Sequence, residues 1–156
     1  MTVLGIDTGD KESAYVLFNG NVLKCGKLPN AQVEDLIFNG WDVVVAVEAP
    51  THFGKRVYPQ IMETAIQAGR FLGLGAARVK TVRRFSRQET SLHCAGARSC
   101  DDKQMKHCLI ERFGDVGTKK NPGPLYGLSG ADMFDALAVA VTAYDKEGVV
   151  DGAGSG

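Results

Sequence analysis

The stretch SGADMFDALAVAVT, residues 129–142, predicts a helix that buries one face and carries two acids near its start. The apolar residues that recur at helical spacing are Phe134, Leu137, Ala138 and Val141. Ser129 stands at the N-cap position, and Asp132, three residues on, forms an imperfect capping box. Asp132 and Asp135 are neighbours on one helix face, where two carboxylates repel each other unless a cation or proton lies between them. Two solvated acids, favoured by the helix dipole, are the alternative explanation.

Two further acids stand at the ends of predicted strands. The first strand, residues 2–7, ends at Asp7 within the sequence GIDTG. The apolar run at residues 41–50, WDVVVAVEAP, predicts a strand covered on both faces that ends at Glu48. A buried strand-end acid is costly unless it is paired or binds a metal, and α/β folds bind ligands at the carboxyl ends of strands. A strand-end acid that points into solvent is a common alternative, but two acids in similar positions favour a ligand site.

The order of the remaining elements predicts an α/β domain. Asn19-Gly20 is a strong hairpin signal, so the chain is expected to open with three consecutive antiparallel strands. Ser99 is expected to cap the helix that follows it. The other predicted elements are strands at residues 13–18, 21–27 and 77–82 and helices at residues 31–38, 58–72, 86–94 and 100–113.

Length and composition set the limits for the whole chain. With 156 residues, it is long enough to bury a core without disulfides or metals, and we predict one domain over residues 1–146. Residues 147–156, EGVVDGAGSG, are predicted to form a flexible glycine-rich tail. The four cysteines show no CxxC pairing, and there is neither a membrane-spanning run nor a signal-peptide pattern. These features predict a cytoplasmic protein with reduced thiols.

The segment from residue 78 to residue 107 is basic although the chain as a whole is neutral, with 18 lysines and arginines against 18 aspartates and glutamates. Such local asymmetry suggests a polyanionic partner, although a solvated cationic surface is the simpler explanation. The segment's cations are Arg78, Lys80, Arg83, Arg84, Arg87, Arg98, Lys103 and Lys106, against the acids Glu89, Asp101 and Asp102.

Two loops carry further cations. The loop HFGKR, residues 52–56, combines Phe53, which could stack on a base or sugar, with Lys55 and Arg56, which could meet phosphates. The loop at residues 114–128 adds Lys119 and Lys120 just before the helix with the paired acids. With cations of the basic segment, these residues are the candidates for contact with a nucleic acid: Phe53, Lys55, Arg56, Arg83, Arg84, Arg87, Lys103, Lys119 and Lys120.

The motifs GIDTG at residues 5–9, the apolar strand ending in Glu48, and GADMFDALAVA at residues 130–140 resemble those of RuvC Holliday junction resolvases, members of the ribonuclease H-like superfamily. The resemblance covers residues 3–144. It extends to residues 82–109, where the sequence DDKQM matches the family's acid-lysine-glutamine pattern. It implies a ribonuclease H-like fold with a five-stranded mixed sheet flanked by helices.

The resemblance also implies a function and a set of site residues. The function is structure-selective endonuclease activity that resolves four-way DNA junctions by metal-dependent hydrolysis, with paired symmetric nicks made by a homodimer. Arg87 and Lys103 match family positions that meet DNA phosphates, with arginine replacing the usual lysine at the first. The catalytic and metal-binding acids carried over by position are Asp7, Glu48, Asp132 and Asp135.

The sequence departs from the family in several places. Phe53 lies farther from Glu48 than the family's aromatic residue does, the segment before the next helix is longer, and residues 117–123 do not align. With these departures, the sequence resembles a phage or viral member of the family more than a bacterial one. Such a protein would act in the cytoplasm of the host or in association with the host nucleoid. For the homodimer, the predicted helix at 58–72 offers a patch that could instead cover the protein's own sheet. The residues of this patch are Ile61, Ala65, Ala68 and Leu72.

The chemistry of phosphodiester hydrolysis favours the same acids. Two divalent ions about 4 Å apart can stabilise both the attacking and the leaving oxygen. Ligand sets made only of oxygen suit Mg²⁺ or Mn²⁺, and we expect two such ions with Asp7 as the bridge. A zinc site is not expected, because the spacing of the histidines and cysteines between residues 93 and 108 fits none of the usual paired-ligand patterns.

Three other protein classes are compatible with parts of the sequence. A nuclease of the YqgF type, which processes ribosomal RNA precursors, also begins with GIDxG, but its closing motif does not resemble residues 130–140. Sugar kinases and actin-like ATPases share a glycine-aspartate opening but need a duplicated fold and a longer chain. A non-catalytic junction-binding module would lack one of the acids, and all four are present in this sequence.

Overall fold

Helices cover both faces of a five-stranded mixed sheet in the computed structural model, which describes residues 1–40, 43–51, 56–78 and 81–154. The order of strands across the sheet is β3-β2-β1-β4-β5. The strands are β1 (Val3–Asp7), β2 (Glu12–Phe18), β3 (Val22–Pro29), β4 (Val44–Glu48) and β5 (Thr81–Phe85). The helices are α1 (Asn30–Phe38), α2 (Pro59–Arg78), α3 (Arg87–Ala95), α4 (Asp102–Phe113) and α5 (Gly130–Gly154).

The central strand β1 pairs antiparallel with β2 and parallel with β4. The expected three-stranded antiparallel opening is therefore present, because β2 also pairs antiparallel with β3. Strand β5 extends the parallel half of the sheet beyond β4. The α/β class and the mixed five-stranded sheet predicted above are both confirmed.

Alternate residues of β1 pack into two separate cores. Leu4 and Ile6 belong to the core beneath α1 and α2, whereas Val3 belongs to the core beneath α5. Gly5 lies on the α5 side, where an added Cβ atom would stand 2.5 Å from the Ala136 carbonyl oxygen and 2.6 Å from the Ala140 Cβ atom. The missing side chain therefore permits a close approach of α5 to the strand that carries Asp7.

Helix α5 is buried over its central part. Its buried residues include every position from Phe134 to Ala143 except Asp135, and Leu137, Val139 and Val141 are fully inaccessible. The burial therefore goes beyond the single apolar face expected from the sequence, since small alanines let neighbouring elements pack around much of the helix. The helix also runs to Gly154, so most of the predicted flexible tail from residue 147 continues it instead.

Two other expectations about the elements were wrong. The strand predicted at residues 77–82 begins at Thr81, because α2 continues through its glycines to Arg78. Gly75 is buried in this last part of α2, where a Cβ atom would stand 3.4 Å from Val45 of the sheet. The N-cap of α4 is Asp101 and not Ser99, since the Asp101 side chain and Gln104 form a complete capping box.

Candidate active site

Strand pairing and one helix bring the four predicted acids to the same end of the sheet. Asp7 and Glu48 end the parallel strands β1 and β4 and are direct partners across them. Asp132 and Asp135 lie in the first turns of α5, which packs against β1. Ligand oxygens of Asp7, Asp132 and Asp135 all lie within 4.8 Å of one another. Glu48 is not one of these three but couples electrostatically to Asp7 and Asp135.

Burial and mutual repulsion raise the pKa values of Asp7, Glu48 and Asp135. Burial, followed by the charges of Glu48 and Asp135, raises the pKa of Asp7 to about 8. Burial and the charge of Asp135 raise the pKa of Glu48 to about 7, against the opposing effect of Arg87. Burial also raises the pKa of Asp135, although the Arg87 guanidinium beside it acts in the opposite direction. Such a group of acids takes up protons or cations near neutral pH.

Two cations from distant parts of the chain contact the paired acids of α5. Arg87, the first residue of α3, donates a hydrogen bond to Asp135, and its second terminal nitrogen lies 3.4 Å from an oxygen of Asp102. Lys27 of β3 donates to Asp132 at 2.6 Å. Arg87 was among the residues predicted from the sequence, whereas Lys27 was not.

The sheet register explains how Lys27 reaches the site. Asp7 pairs with Ala14 of β2, and Ala14 pairs with Lys27 of β3. Cross-strand partners share one face of a sheet, so Glu48, Asp7, Ala14 and Lys27 form a row across four strands. The small side chain of Ala14 lies between Asp7 and Lys27. Sequence spacing does not reveal this row, because it depends on the register of three strand pairs.

The residues present fit divalent cations with oxygen ligands. Glu48 Oε2 is buried and has no hydrogen-bond partner among the described residues. A buried carboxylate oxygen without a partner is unfavourable, and a cation beside it would satisfy it. An open cleft of about 600 Å³ adjoins the acids and exposes both Asp7 and Asp132. The donor set of four carboxylates suits Mg²⁺ or Mn²⁺.

The residues predicted to bind DNA occupy different places in the structure. Arg83 forms an ion pair with Glu147 of α5 at 2.5 Å, so it is engaged within the protein. Arg56 lies 5.8 Å from the centre of the Tyr58 ring. Phe53 and Lys55 lie outside the described residues. The remaining exposed members are Arg84 on β5, Lys103 on α4, and Lys119 and Lys120 in the loop closed by the Gly117–Pro122 bridge. Of the predicted set, the structure brings Arg87 to the acids, and contacts with DNA stay a prediction.

No described helix combines the length and apolarity needed to cross a lipid bilayer.

Comparison with solved structures identifies the fold. The chain is similar to the structure of RuvC from Thermus thermophilus, with a TM-score of 0.62, 19% sequence identity, and coverage of 94% of this chain and 96% of that one. It is likewise similar to T. thermophilus RuvC in complex with a Holliday junction substrate, with a TM-score of 0.61, 18% identity and 94% coverage of both chains. No protein-family model and no curated protein sequence matches it. The chain therefore has the ribonuclease H-like fold of RuvC, as its motifs predicted.

Proposed function

We propose that this chain, with the fold of RuvC, is a divalent-metal-dependent endonuclease that resolves four-way DNA junctions by paired symmetric nicks. The observation that carries the proposal is the acid cluster. Ligand oxygens of Asp7, Asp132 and Asp135 lie within 4.8 Å of one another, beside the buried and unpartnered Oε2 of Glu48. Four carboxylates gathered at the end of two parallel strands suit phosphodiester hydrolysis, which requires charge stabilisation at two oxygens.

The proposed roles of the acids follow from their positions. Asp7 lies between Glu48 on the neighbouring strand and the acids of α5, so it would be shared between two Mg²⁺ or Mn²⁺ ions. Glu48 would hold one ion, and Asp132 and Asp135 would complete the two sites. The bound ions supply Lewis-acid stabilisation of the attacking and leaving oxygens.

Lys27 and Arg87 are placed to orient the phosphate. Each already forms a hydrogen bond with an acid of α5, Lys27 with Asp132 and Arg87 with Asp135, so the two cations border the cluster on different elements. A phosphodiester over the cluster therefore meets an ammonium and a guanidinium. Arginine and lysine bind phosphate oxygens through charge-assisted hydrogen bonds, which fix the position of the reacting phosphorus.

A panel of DNA substrates tests the reaction. We expect the purified protein with Mg²⁺ to cut four-way junctions in preference to flaps, duplexes, RNA and RNA–DNA hybrids. Asp7→Asn, Glu48→Gln, Asp132→Asn and Asp135→Asn should each abolish cleavage and leave junction binding largely intact, since affinity comes mainly from cations that neutralise phosphates. An acid variant that still cuts at a near-normal rate would remove that residue from the site. Preferential cutting of RNA would instead support a YqgF-type activity.

The salt dependence of binding tests the DNA-binding surface. Binding that depends on phosphate contacts weakens linearly on a plot of log affinity against log salt. Arg87→Ala and Lys103→Ala should each reduce the slope by about one. Arg70→Ala is a matched control, because Arg70 is paired with Glu34 at the α1–α2 contact. A flat salt response, or no effect of either variant, would mean that the basic segment is an ordinary solvated surface.

We propose further that the working unit is a homodimer. One chain carries one acid cluster, whereas junction resolution needs two cuts in strands related by two-fold symmetry. A two-fold dimer repeats the same surface on both partners and would place two sites in matching positions. The first half of α2 and the residues before it expose an apolar surface suited to this contact, formed by Val57, Tyr58, Ile61, Met62 and Ile66. Of the patch predicted from the sequence, Ile61 is exposed, whereas Ala68 is buried on the side of α2 that faces the sheet.

A further inference from the structure

A second cavity, separate from the cleft at Asp7 and Asp132, lies between α3 and the loop that leads into α4. Its volume is about 250 Å³. The described residues around it include two guanidinium groups, three hydroxyl groups and an amide, and no carboxylate. They are Arg87, Arg98, Thr51, Ser91, Ser99 and Gln88. We call this space the anion cavity, since its lining offers hydrogen-bond donors without a negative charge.

Arg98 provides most of the cavity's attraction for an anion, because Arg87 is already paired with Asp135 and lies 3.4 Å from Asp102. The two helix ends nearby are already capped, α3 by Ser86 with Glu89 and α4 by Asp101 with Gln104. Their terminal amides are therefore not the main donors. Arg98 is exposed, and no ion pair joins it to an acid in the part of the chain that the structure describes.

Ser91 and Gly96 shape the buried wall of the cavity. Ser91 is fully inaccessible, and its Oγ accepts a hydrogen bond from the Cys100 thiol at 3.4 Å, which ties α3 to the residue before α4. Gly96, with a backbone φ of 73°, ends α3 in a left-handed conformation and turns the chain back toward the cavity. The loop with Arg98 and Ser99 is thereby held against α3.

Arg87 joins this cavity to the acid cluster. It lines the cavity and also donates a hydrogen bond to Asp135. A strand whose phosphate lies over the acids therefore passes Arg87 first and then reaches the cavity. The volume of about 250 Å³ lies below the ~300–1,000 Å³ of typical small-molecule sites, so the cavity suits one phosphodiester group better than a free nucleotide.

We infer that the anion cavity binds a phosphate of the strand being cut, adjacent to the phosphate over the acid cluster. The inference rests on the proposed nuclease function. It makes Arg98 a substrate-positioning residue, with Ser99 and Gln88 as neutral donors around the same phosphate. Binding at two successive phosphates fixes both the position and the direction of the strand at the acids, which a single contact through Arg87 does not do.

A double-mutant cycle between protein and DNA tests this. Single phosphates near the cut position are replaced in turn by uncharged methylphosphonates, and junction affinity is measured in metal-free buffer for the unaltered protein, Arg98→Ala and the control Arg70→Ala. Arg98→Ala should weaken binding about tenfold, the usual range for a charge-assisted hydrogen bond. At the phosphate that Arg98 contacts, the methylphosphonate should weaken junction binding by the unaltered protein but should not weaken binding by Arg98→Ala any further. Additive losses at every position, or an equal effect of Arg70→Ala, would overturn the inference.

A titration with inorganic phosphate separates this inference from the proposed function. Amide signals of Gln88 and Ser99 in a nitrogen–proton correlation spectrum should shift with phosphate, and the shifts should disappear in Arg98→Ala. Shifts in a protein that neither binds nor cuts junctions would keep the cavity as an anion site and refute the nuclease proposal. Junction cleavage together with additive methylphosphonate losses would keep the nuclease proposal and refute the cavity's role. Arg98 is exposed, so its truncation should leave the fold intact, as circular dichroism will check.

Discussion

The contact between Gly5 and α5 makes a quantitative prediction about both stability and cleavage. In Gly5→Ala, the new Cβ atom would stand 2.6 Å from the Ala140 Cβ atom and 2.5 Å from the Ala136 carbonyl oxygen. Carbon atoms pack favourably at ~3.5–4.0 Å, so α5 must move away from β1 by about 1 Å. The atoms in the way belong to a buried helix, which places the overpacking near the top of the ~1–3 kcal/mol range. The lower flexibility of alanine returns ~0.5–1 kcal/mol, which leaves a net loss of about 2 kcal/mol.

The same displacement should disturb the candidate active site and so slow the proposed cleavage. Asp7 lies two residues beyond Gly5 on β1, whereas Asp132 and Asp135 move with α5. A shift of about 1 Å in the reacting groups reduces rates by roughly 100-fold. Urea unfolding will measure the free energy, and single-turnover cleavage of a junction with saturating Mg²⁺ will measure the rate. A Gly5→Ala protein with unchanged unfolding free energy and a normal cleavage rate would refute the reasoning.

A second glycine provides the matched control. Gly73 lies within α2, and a Cβ atom there would meet nothing within 4 Å. Gly73→Ala should therefore stabilise the protein by ~0.5–1 kcal/mol, because alanine loses less backbone freedom in a helix. Cleavage should not change. Opposite signs for the two substitutions would show that the effect of Gly5→Ala comes from contact with α5 and not from the chemical change itself.

Three further predictions concern charge and assembly. Asp7 and Glu48 have pKa values raised from 3.8 to about 8 and from 4.5 to about 7, so between these limits the folded state binds more protons than the unfolded state. The unfolding free energy of the metal-free protein should therefore fall as pH rises through this window, and Mg²⁺ should oppose the fall. Urea unfolding at a series of pH values measures this, and a stability that rises with pH would contradict it. Lys27→Met should tighten Mg²⁺ binding, because it removes a cation that competes for Asp132. The gain should not exceed about fivefold in affinity, which corresponds to the free energy of an exposed ion pair. Calorimetry that shows weaker Mg²⁺ binding would contradict it. Ile66→Glu on the exposed face of α2 should give a monomer in light scattering that nicks one strand per binding event, whereas a persistent dimer would place the interface elsewhere.

The positions of the acids at the ends of their elements could be predicted from the sequence because the signals are local. Asp7 and Glu48 each end an apolar run, which is visible without knowledge of the partners. Asp132 and Asp135 lie in the first turns of a long helix whose apolar residues recur at helical spacing. The parallel pairing that joins Asp7 to Glu48 was not contained in either run. The apolar run that ends in Glu48 predicts a strand in a parallel part of the sheet, but its pairing partner is seen only in the structure.

Features that depend on competition between neighbouring elements were harder to predict. The glycines of α2 favour an early end of the helix, but packing of Gly75 against the sheet carries it through to Arg78. Ser99 and Asp101 are both residue types that cap helices well. Asp101 is the N-cap because Gln104, three residues later, completes a capping box with it. The contact of Lys27 with Asp132 joins residues 105 positions apart and depends on sheet register. Composition alone suggested a loose tail where the backbone continues α5.

Helix α5 both stabilises and destabilises the folded protein. Its buried side chains contribute hydrophobic stability, while its two acids crowd against Asp7. Without a counter-ion, that crowding is relieved by protons on the acids and by Lys27 and Arg87 beside them. A divalent ion that binds the folded cluster and not the unfolded chain would add ~2.7 kcal/mol at a concentration 100 times its dissociation constant. Gly5 links the two effects. The short distance between α5 and β1 at this glycine lets α5 bury its alanines, and it also brings the carboxylates of the two elements together. Any side chain at this position would push α5 away from β1 and so separate Asp132 and Asp135 from Asp7.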